Sequence, residues 1–289
     1  MKRRIKHILG YTIAIMSMAL GAQTTTENYV VGKTYKVESQ TPLTTDDPRQ
    51  VLKSIQYIDG LGRMKQSVIM KGGKRTYDVN QNINSKDIVI YVEYDGFGRQ
   101  AKEYLPYPSL HTDGRFETNA KNDTHSYYFS NYADDFTGVA NALDANVFSK
   151  KIFDNSSLNR MVEQTAPGTD WKQGSTTVTG KAYSNGHTVR MEYDTNTTSE
   201  VKVFSVTTTF ANNTYTPTLV GGTNYYAVGE LTKMVTKDEN WSTNDGTNRT
   251  TEEFKNKSGQ VILKRTYGQV DLNGDGIQND GATGIEMYW

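Results

Sequence analysis

The sequence predicts a mainly β protein, with antiparallel hairpins in extended sheets interrupted by irregular insertions. Three observations carry this. The chain has 37 Thr, 19 Tyr and 25 Gly against 6 Pro; Thr and Tyr suit a pleated, half-buried surface, and Gly supplies turns. Runs of alternating apolar and polar residues recur along most of the length. Between them the turn "YIDGLGR" at 57–63 returns as "EYDGFGR" at 93–99. A hydrophobic content of 35% is low but fits sheets wetted on one face.

Taken in order, residues 1–22 read as a secretory signal peptide: basic "MKRRIK", a short apolar run, then small residues at Gly21 and Ala22. The run is short and interrupted for a membrane span, by Tyr11, Thr12 and Ser17, with a single N-terminal anchor as the alternative reading. With no Cys in the chain, a lipid anchor on Cys is excluded. Export to the outside or to the cell surface follows, with no membrane span after cleavage. A first β module is expected over 23–110. "YVVGKTYKV" is its first strand, "VLKSIQYI" and "RMKQSVIM" one hairpin, and "DIVIYVEY" and "RQAKEYLPYP" a second. Pro106 and Pro108 close that unit, because neither can donate to a ladder. Residues 111–150 hold aromatics without clean alternation and form an irregular insertion, with "DDFTGVANALDAN" the place for a short helix. A second β segment spans 151–289. Its strands are "SKKIFD", "RMVEQTAPG", "TTVTGKAYS", "TVRMEYD", "EVKVFSVTTTF", "ELTKMVTKDEN" and "TTEEFKNKSGQVILKRTY". The closing "IEMYW" reads as the opening of a further strand, so the chain is expected to be the front of something longer.

Aligned by physical role, the repeated turn has four copies. Asp59, Gly62 and Arg63 match Asp95, Gly98 and Arg99. Ser156, Asn159 and Arg160 form a third set, and Asn256 and Gly259, followed by Gln260, a fourth. The first position can accept a hydrogen bond from a backbone N–H further on and start a type I turn. The fourth tolerates φ > 0, as the residue closing a three-residue hairpin loop must. A phosphate loop would need its glycines to open a helix, whereas "RMKQSVIM" is strand-like. The post-turn arginines are expected to lie across aromatic rings of a neighbouring strand.

These blocks resemble the YD-repeat (Rhs) family, whose units follow Tyr-Asp-x-x-Gly-Arg. "EYDGFGRQAKEYL" is the best match; "YIDGLGRMKQSV" has Ile58 where the pattern has Tyr, and "FDNSSLNRMVEQTAPG" and "EFKNKSGQVILKRTYG" are degenerate. In order, "DGLGR", "YDGFGRQAKEYLPYP", "LNRMVEQTAPG", "DEN" and "EFKNKSGQVILKRTY" resemble the N-terminal region, of DUF6443 type, of secreted Rhs-type proteins from Bacteroidetes. The resemblance implies a β-rich scaffold belonging to a cell-surface or toxin-delivery protein, with the remainder of a longer Rhs-type chain as partner. This chain lacks the family's C-terminal autoprotease motif and an effector domain, so toxicity is not implied for these residues.

Composition excludes several activities. Without Cys there is no thiol nucleophile, thiolate metal site or redox pair. Removing 1–22 takes away four cations and no acid, which leaves a net charge of −4 and argues against nucleic acid as the partner. His-Glu-x-x-His and Gly-x-Ser-x-Gly are missing. His111 and His125, 14 apart, could share a metal or lie separately in loops. Carboxylates are plentiful enough for a hydrolase, but no pair stands out. The expectation is a non-enzymatic scaffold. A carbohydrate- or surface-binding adhesion module is the alternative, with Trp171, Trp241, Tyr225 and Tyr226 stacking on cell-surface glycans. One loop has calcium-ligand spacing. Asp271, Asn273 and Asp275 occupy positions one, three and five, Gly276 position six, and Ile277 offers a carbonyl at seven. Ala282 stands where the closing Glu belongs, so Asp280 or Glu286 would have to substitute.

Overall fold

The computed structural model describes residues 26–41, 43, 47–74, 85–269 and 282–288. It is mainly β, and the strand pairs whose register is described are antiparallel. The strands are β1 (Asn28–Tyr35), β2 (Val51–Ile58), β3 (Met64–Ile69), β4 (Ile88–Tyr91), β5 (Lys102–Tyr104), β6 (Tyr107–Pro108), β7 (Phe148–Phe153), β8 (Met161–Gln164), β9 (Val189–Thr195), β10 (Lys202–Ala211), β11 (Thr214–Tyr225), β12 (Thr232–Lys237), β13 (Thr250–Lys255), β14 (Val261–Gln269) and β15 (Ala282–Tyr288). One helix, α1, spans Ala120–Asn131.

The chain divides into two compact units, residues 1–89 with 108–118, and 90–107 with 119–289. This departs from the boundary expected near 110. The second "DGFGR" hairpin falls mostly in the second unit, and the segment after Pro108 returns to the first. Asp87 explains the return. Its buried carboxylate accepts the N–H groups of Lys71 and Gly114, both at 2.7 Å, and its backbone pairs with Ser109 and His111. Burial pushes the Asp87 carboxyl up, against those two hydrogen bonds.

In the first unit β1, β2, β3, β4 and β6 lie side by side in that order, β4 and β6 straddling the division. Strand β2 shows why this sequence makes a half-wetted strand: Val51, Lys53, Ile55 and Tyr57 are buried while the residues between them are not. The Tyr57 hydroxyl donates to the Gly114 carbonyl at 2.7 Å, and the Gln66 amide bonds both backbone groups of Glu117. These bonds pin 114–117 against the sheet. Gly114, at φ +75°, has no room for a Cβ beside Ile55 and Met70.

In the second unit an eight-stranded sheet runs β15-β14-β13-β12-β9-β8-β7-β5. A separate two-stranded arm, β10-β11, is inserted in sequence between β9 and β12. Two apolar clusters hold the unit. One gathers Tyr104, Phe136, Ala145 and Val147, and the other Val201, Leu231, Phe254 and Leu263. The helix lies at 120–131, upstream of where the sequence placed it; "DDF" and "ALD" form only short 3-10 turns. Its apolar residues do not follow one helical face, which hid it from periodicity. Tertiary ties hold it instead, Tyr128 to the Pro106 carbonyl at 2.6 Å and Lys121 to Glu93 at 2.7 Å. A second departure is "TTVTGKAYS", which is turns and one isolated bridge, Thr177 with Ser184, rather than a strand.

Candidate functional site

The repeated turn has one hydrogen-bond pattern. At 59–63, one Asp59 carboxylate oxygen accepts the N–H groups of Leu61 and Arg63, both at 2.9 Å. Its other oxygen accepts Arg63 Nε at 2.8 Å. The Asp59 and Arg63 backbones pair at 2.8 Å, and Gly62, at φ +78°, donates to the Asp59 carbonyl at 3.0 Å. Residues 95–99 repeat every bond, with Asp95 accepting from Phe97, Arg99 and Arg99 Nε, and with Gly98 at φ +76°. The backbone N–H of the following Arg is the main cause that holds each Asp carboxyl below its usual range. The fourth copy is a neutral version. Asn256 Oδ1 accepts from Ser258 and Gln260 at 3.0 Å, its amide donates to the Gln260 side chain at 2.9 Å, and Gly259 sits at φ +78°. Beside the first, third and fourth turns the strand register slips by one residue, the bulge that such loops produce.

The third copy differs from the alignment. Ser156 does start the inner turn, accepting the Leu158 N–H at 3.2 Å, and Asn159 supplies the positive φ. The clamp on Arg160, however, comes from Asp154, which accepts Arg160 N–H at 3.1 Å and Nε at 2.9 Å. Burial raises the Asp154 carboxyl, but bonds from Ser156 and Arg160 outweigh this and hold it low. The signal was in the sequence: Phe153-Asp154 stands where Tyr94-Asp95 does, with two more residues in the loop. The arginines also cover rings. Arg99 lies 4.1 Å from the Phe153 ring centre and Arg160 4.9 Å from that of Tyr193.

A second feature, not foreseen from the sequence, is a row of buried and half-buried ionic groups on one face of the eight-stranded sheet. Register places Glu163 opposite Arg190, Val235 opposite both Glu192 and Glu252, and Glu252 opposite Arg265. Glu163, fully buried, accepts the Ser184 N–H at 3.0 Å, the Ser184 hydroxyl, and the Thr188 hydroxyl at 2.8 Å. Arg190 donates to the carbonyls of Ser184, Gly186 and Trp241. Lys237 Nζ lies 2.7 Å from Glu192, 2.9 Å from the Tyr183 hydroxyl and 3.7 Å from the centre of the Trp241 ring. Lys233 bridges Glu200 and Glu252, each at 2.7 Å. Burial pushes the Glu192 carboxyl up, but bonds from Lys181, Lys237 and Tyr183 outweigh it and hold it down at about 2.

A groove of about 490 Å³ opens here, with Asp154, Arg160, Tyr183, Glu192, Lys237 and Glu252 among its walls. Asp154, Glu192 and Glu252 each face a cation of the same wall, namely Arg160, Lys237 and Lys233, while Asp194 accepts the Thr195 N–H at 2.7 Å. Such a lining holds the fold together and leaves little net field to draw a charged ligand.

The sequence matches the family model described as a domain of unknown function (DUF6443) over residues 32–185, more than half of the chain. The chain belongs to the DUF6443 family. No curated protein and no solved structure matches it. The DUF6443 segment holds the first three turns and Glu163, while the fourth turn, Lys233, Lys237 and the β10-β11 arm lie beyond it.

Other expected sites are dispersed. His111 Nδ1 pairs with Glu117 at 2.8 Å. His125 is buried in α1, where burial pushes its imidazole below the usual value. Among the described residues no group of three or more His, Asp or Glu is placed to hold a metal. The calcium loop, Asp271, Asn273, Asp275, Ile277 and Asp280, lies outside the described residues, as does the leader. Trp241 is 8% exposed and donates to the Gly246 carbonyl at 3.0 Å, so a sugar could reach it only if 238–249 opened. Trp171 is 40% exposed and Tyr225 43%, while Tyr226 packs on the Leu231 cluster. Among the described residues no helix is long and apolar enough to cross a membrane.

Proposed function

We propose that the chain is a non-enzymatic β-scaffold, the front segment of an exported YD-repeat protein of Rhs type. The observation that carries this is the turn: one hydrogen-bond pattern closes 59–63, 95–99 and 256–260, in charged and neutral versions alike, and a longer variant of it closes 154–160. A site that bound a ligand through Asp and Arg would not survive their replacement by Asn256 and Gln260, whereas a turn does. The groove supports the same reading, since most of its ionic groups pair with one another. Exposed Trp171 and Tyr225 leave surface recognition as a role for the same scaffold rather than a rival to it.

The test is the natural product itself. Intact mass and peptide mapping of the exported protein should show a mature chain that runs past Trp289 into further Tyr-Asp-x-x-Gly-Arg units. A product that stops at Trp289 removes the repeat-array reading. Hydrolysis of a polysaccharide or peptide panel that co-purifies with the protein and disappears in a carboxylate variant removes the non-enzymatic one.

A further inference from the structure

The β10-β11 arm is built differently from the rest of the molecule. From 203 to 229 no residue carries a charge. Register places Phe204 opposite Gly221, Val206 opposite Leu219, Thr208 opposite Pro217 and Phe210 opposite Tyr215. Because successive side chains alternate faces, all of these share one face. The other carries Ser205, Thr207, Thr209, Thr214, Thr216 and Thr218, with Ala211 and Val220 among them. The first face is open to solvent: Val206 is 61% exposed, Phe210 60%, Tyr215 69% and Leu219 68%. The arm forms its own two-stranded sheet and adds no buried residue to either apolar cluster.

An isolated two-stranded ribbon is marginal in water and needs a third layer or further strands. Sheets that must stay single carry charges on their exposed faces and edges, and the one charge on this arm is Lys202, at the start of β10. From the fractional exposures, the apolar face amounts to about 500 Å², near the upper end of what a monomer displays as one patch.

We infer that this face is a homodimer surface, covered by the same face of a second copy. Three features select that occupant. A chargeless face offers no complementarity to an acidic or basic partner, and it imposes no like-charge cost on its own copy. Two such faces together remove about 1,000 Å², the lower bound for a specific interface. The relief is also self-complementary. The tip is high, with the Phe210 and Tyr215 rings 4.7 Å apart and projecting. The base is low, with Gly221 in place of a side chain and the Phe204 ring lying across Gly222. A two-fold axis at the level of Thr207 and Thr218, midway between the two rows, sets each tip on the other copy's base. The result is a four-stranded sandwich with threonines outside.

Sedimentation equilibrium of the purified protein tests this, and it does so independently of the repeat-array reading. The parent should form dimers. Phe210→Asp and Leu219→Asp should each raise the dissociation constant at least tenfold with an unchanged circular dichroism spectrum. Thr209→Asp, on the opposite face, should leave it within twofold. A parent that stays monomeric up to millimolar concentration overturns the inference. So does an equal loss with Thr209→Asp, which would mean that the arm, not its apolar face, had been disturbed. A monomer that instead co-sediments with phosphatidylcholine vesicles, and loses this with Phe210→Asp, gives the face to lipid and overturns the dimer.

Discussion

Two regions adjacent in sequence reverse the usual placement of polar and apolar groups. The face shared by β9, β12, β13 and β14 buries Arg190, Lys237 and Glu252, while the arm inserted between β9 and β12 exposes Phe210, Tyr215 and Leu219. Residue type alone does not decide burial; the partners do. Each buried ion has an opposite charge, a carbonyl or a hydroxyl within reach. The arm's apolar side chains have nothing from the two clusters against them. The buried row therefore resists change, and the arm tolerates it.

The largest effect is expected at Arg190. It is 2% exposed, sits opposite Glu163, and ties two loops through three carbonyls. Arg190→Met should cost about 3–5 kcal/mol in urea unfolding, since it leaves the buried Glu163 charge uncompensated and three carbonyls without their donor. A loss below 1 kcal/mol would mean that this face is wet, and the contrast with the arm would collapse.

Acid should sharpen the contrast next. Glu192 is held at about 2 against an ordinary value of 4.5. A carboxyl lowered on folding contributes stability that is complete above its unfolded pKa and is lost as pH falls through the folded one. Urea midpoints of Glu192→Gln and parent should therefore differ at pH 7 and converge between pH 4.5 and 2. A gap that stays constant to pH 2 would remove Glu192 from the row. Substitutions confined to the arm should show no such convergence, since no residue from 203 to 229 titrates in this range.

The turns are the exposed counterpart of this ion pairing, and smaller effects are expected there. Gly98→Val should destabilise by about 1 kcal/mol or more, because a β-branched residue resists φ > 0. Gly259→Val in the neutral turn should cost the same, since both glycines share one backbone angle. Below pH 4, amide exchange at Arg63 and Arg99 should quicken as Asp59 and Asp95 lose charge, while Gln260 behind neutral Asn256 should not respond. Parallel behaviour of all three amides would sink the clamp.

How much of this was legible follows from the range of each interaction. The turns were legible because their bonds close within five residues, so Asp, Gly and Arg report on one another directly. Asp154 was missed because two extra loop residues moved it outside the frame set by the shorter copies. Helix α1 was missed because distant groups, Pro106 and Glu93, hold it rather than an apolar stripe. The ionic row was invisible for the same reason. "TVRMEYD" and "ELTKMVTKDEN" read as half-wetted strands, and only their register shows that the apparent wet face is buried against itself.

The smallest effect is expected in the arm, where it discriminates most. Val206→Thr and Leu219→Thr keep the strand alternation and remove exposed apolar surface only. In dilute protein, below any self-association, each should leave unfolding free energy within about 0.5 kcal/mol of the parent, as surface substitutions do. The same exchange at buried Leu231 or Leu263 removes packed core and should cost several-fold more. If Val206→Thr cost as much as Leu263→Thr under those conditions, the arm's apolar face would already be covered within one chain, and the contrast between the two regions would be one of partner rather than of exposure.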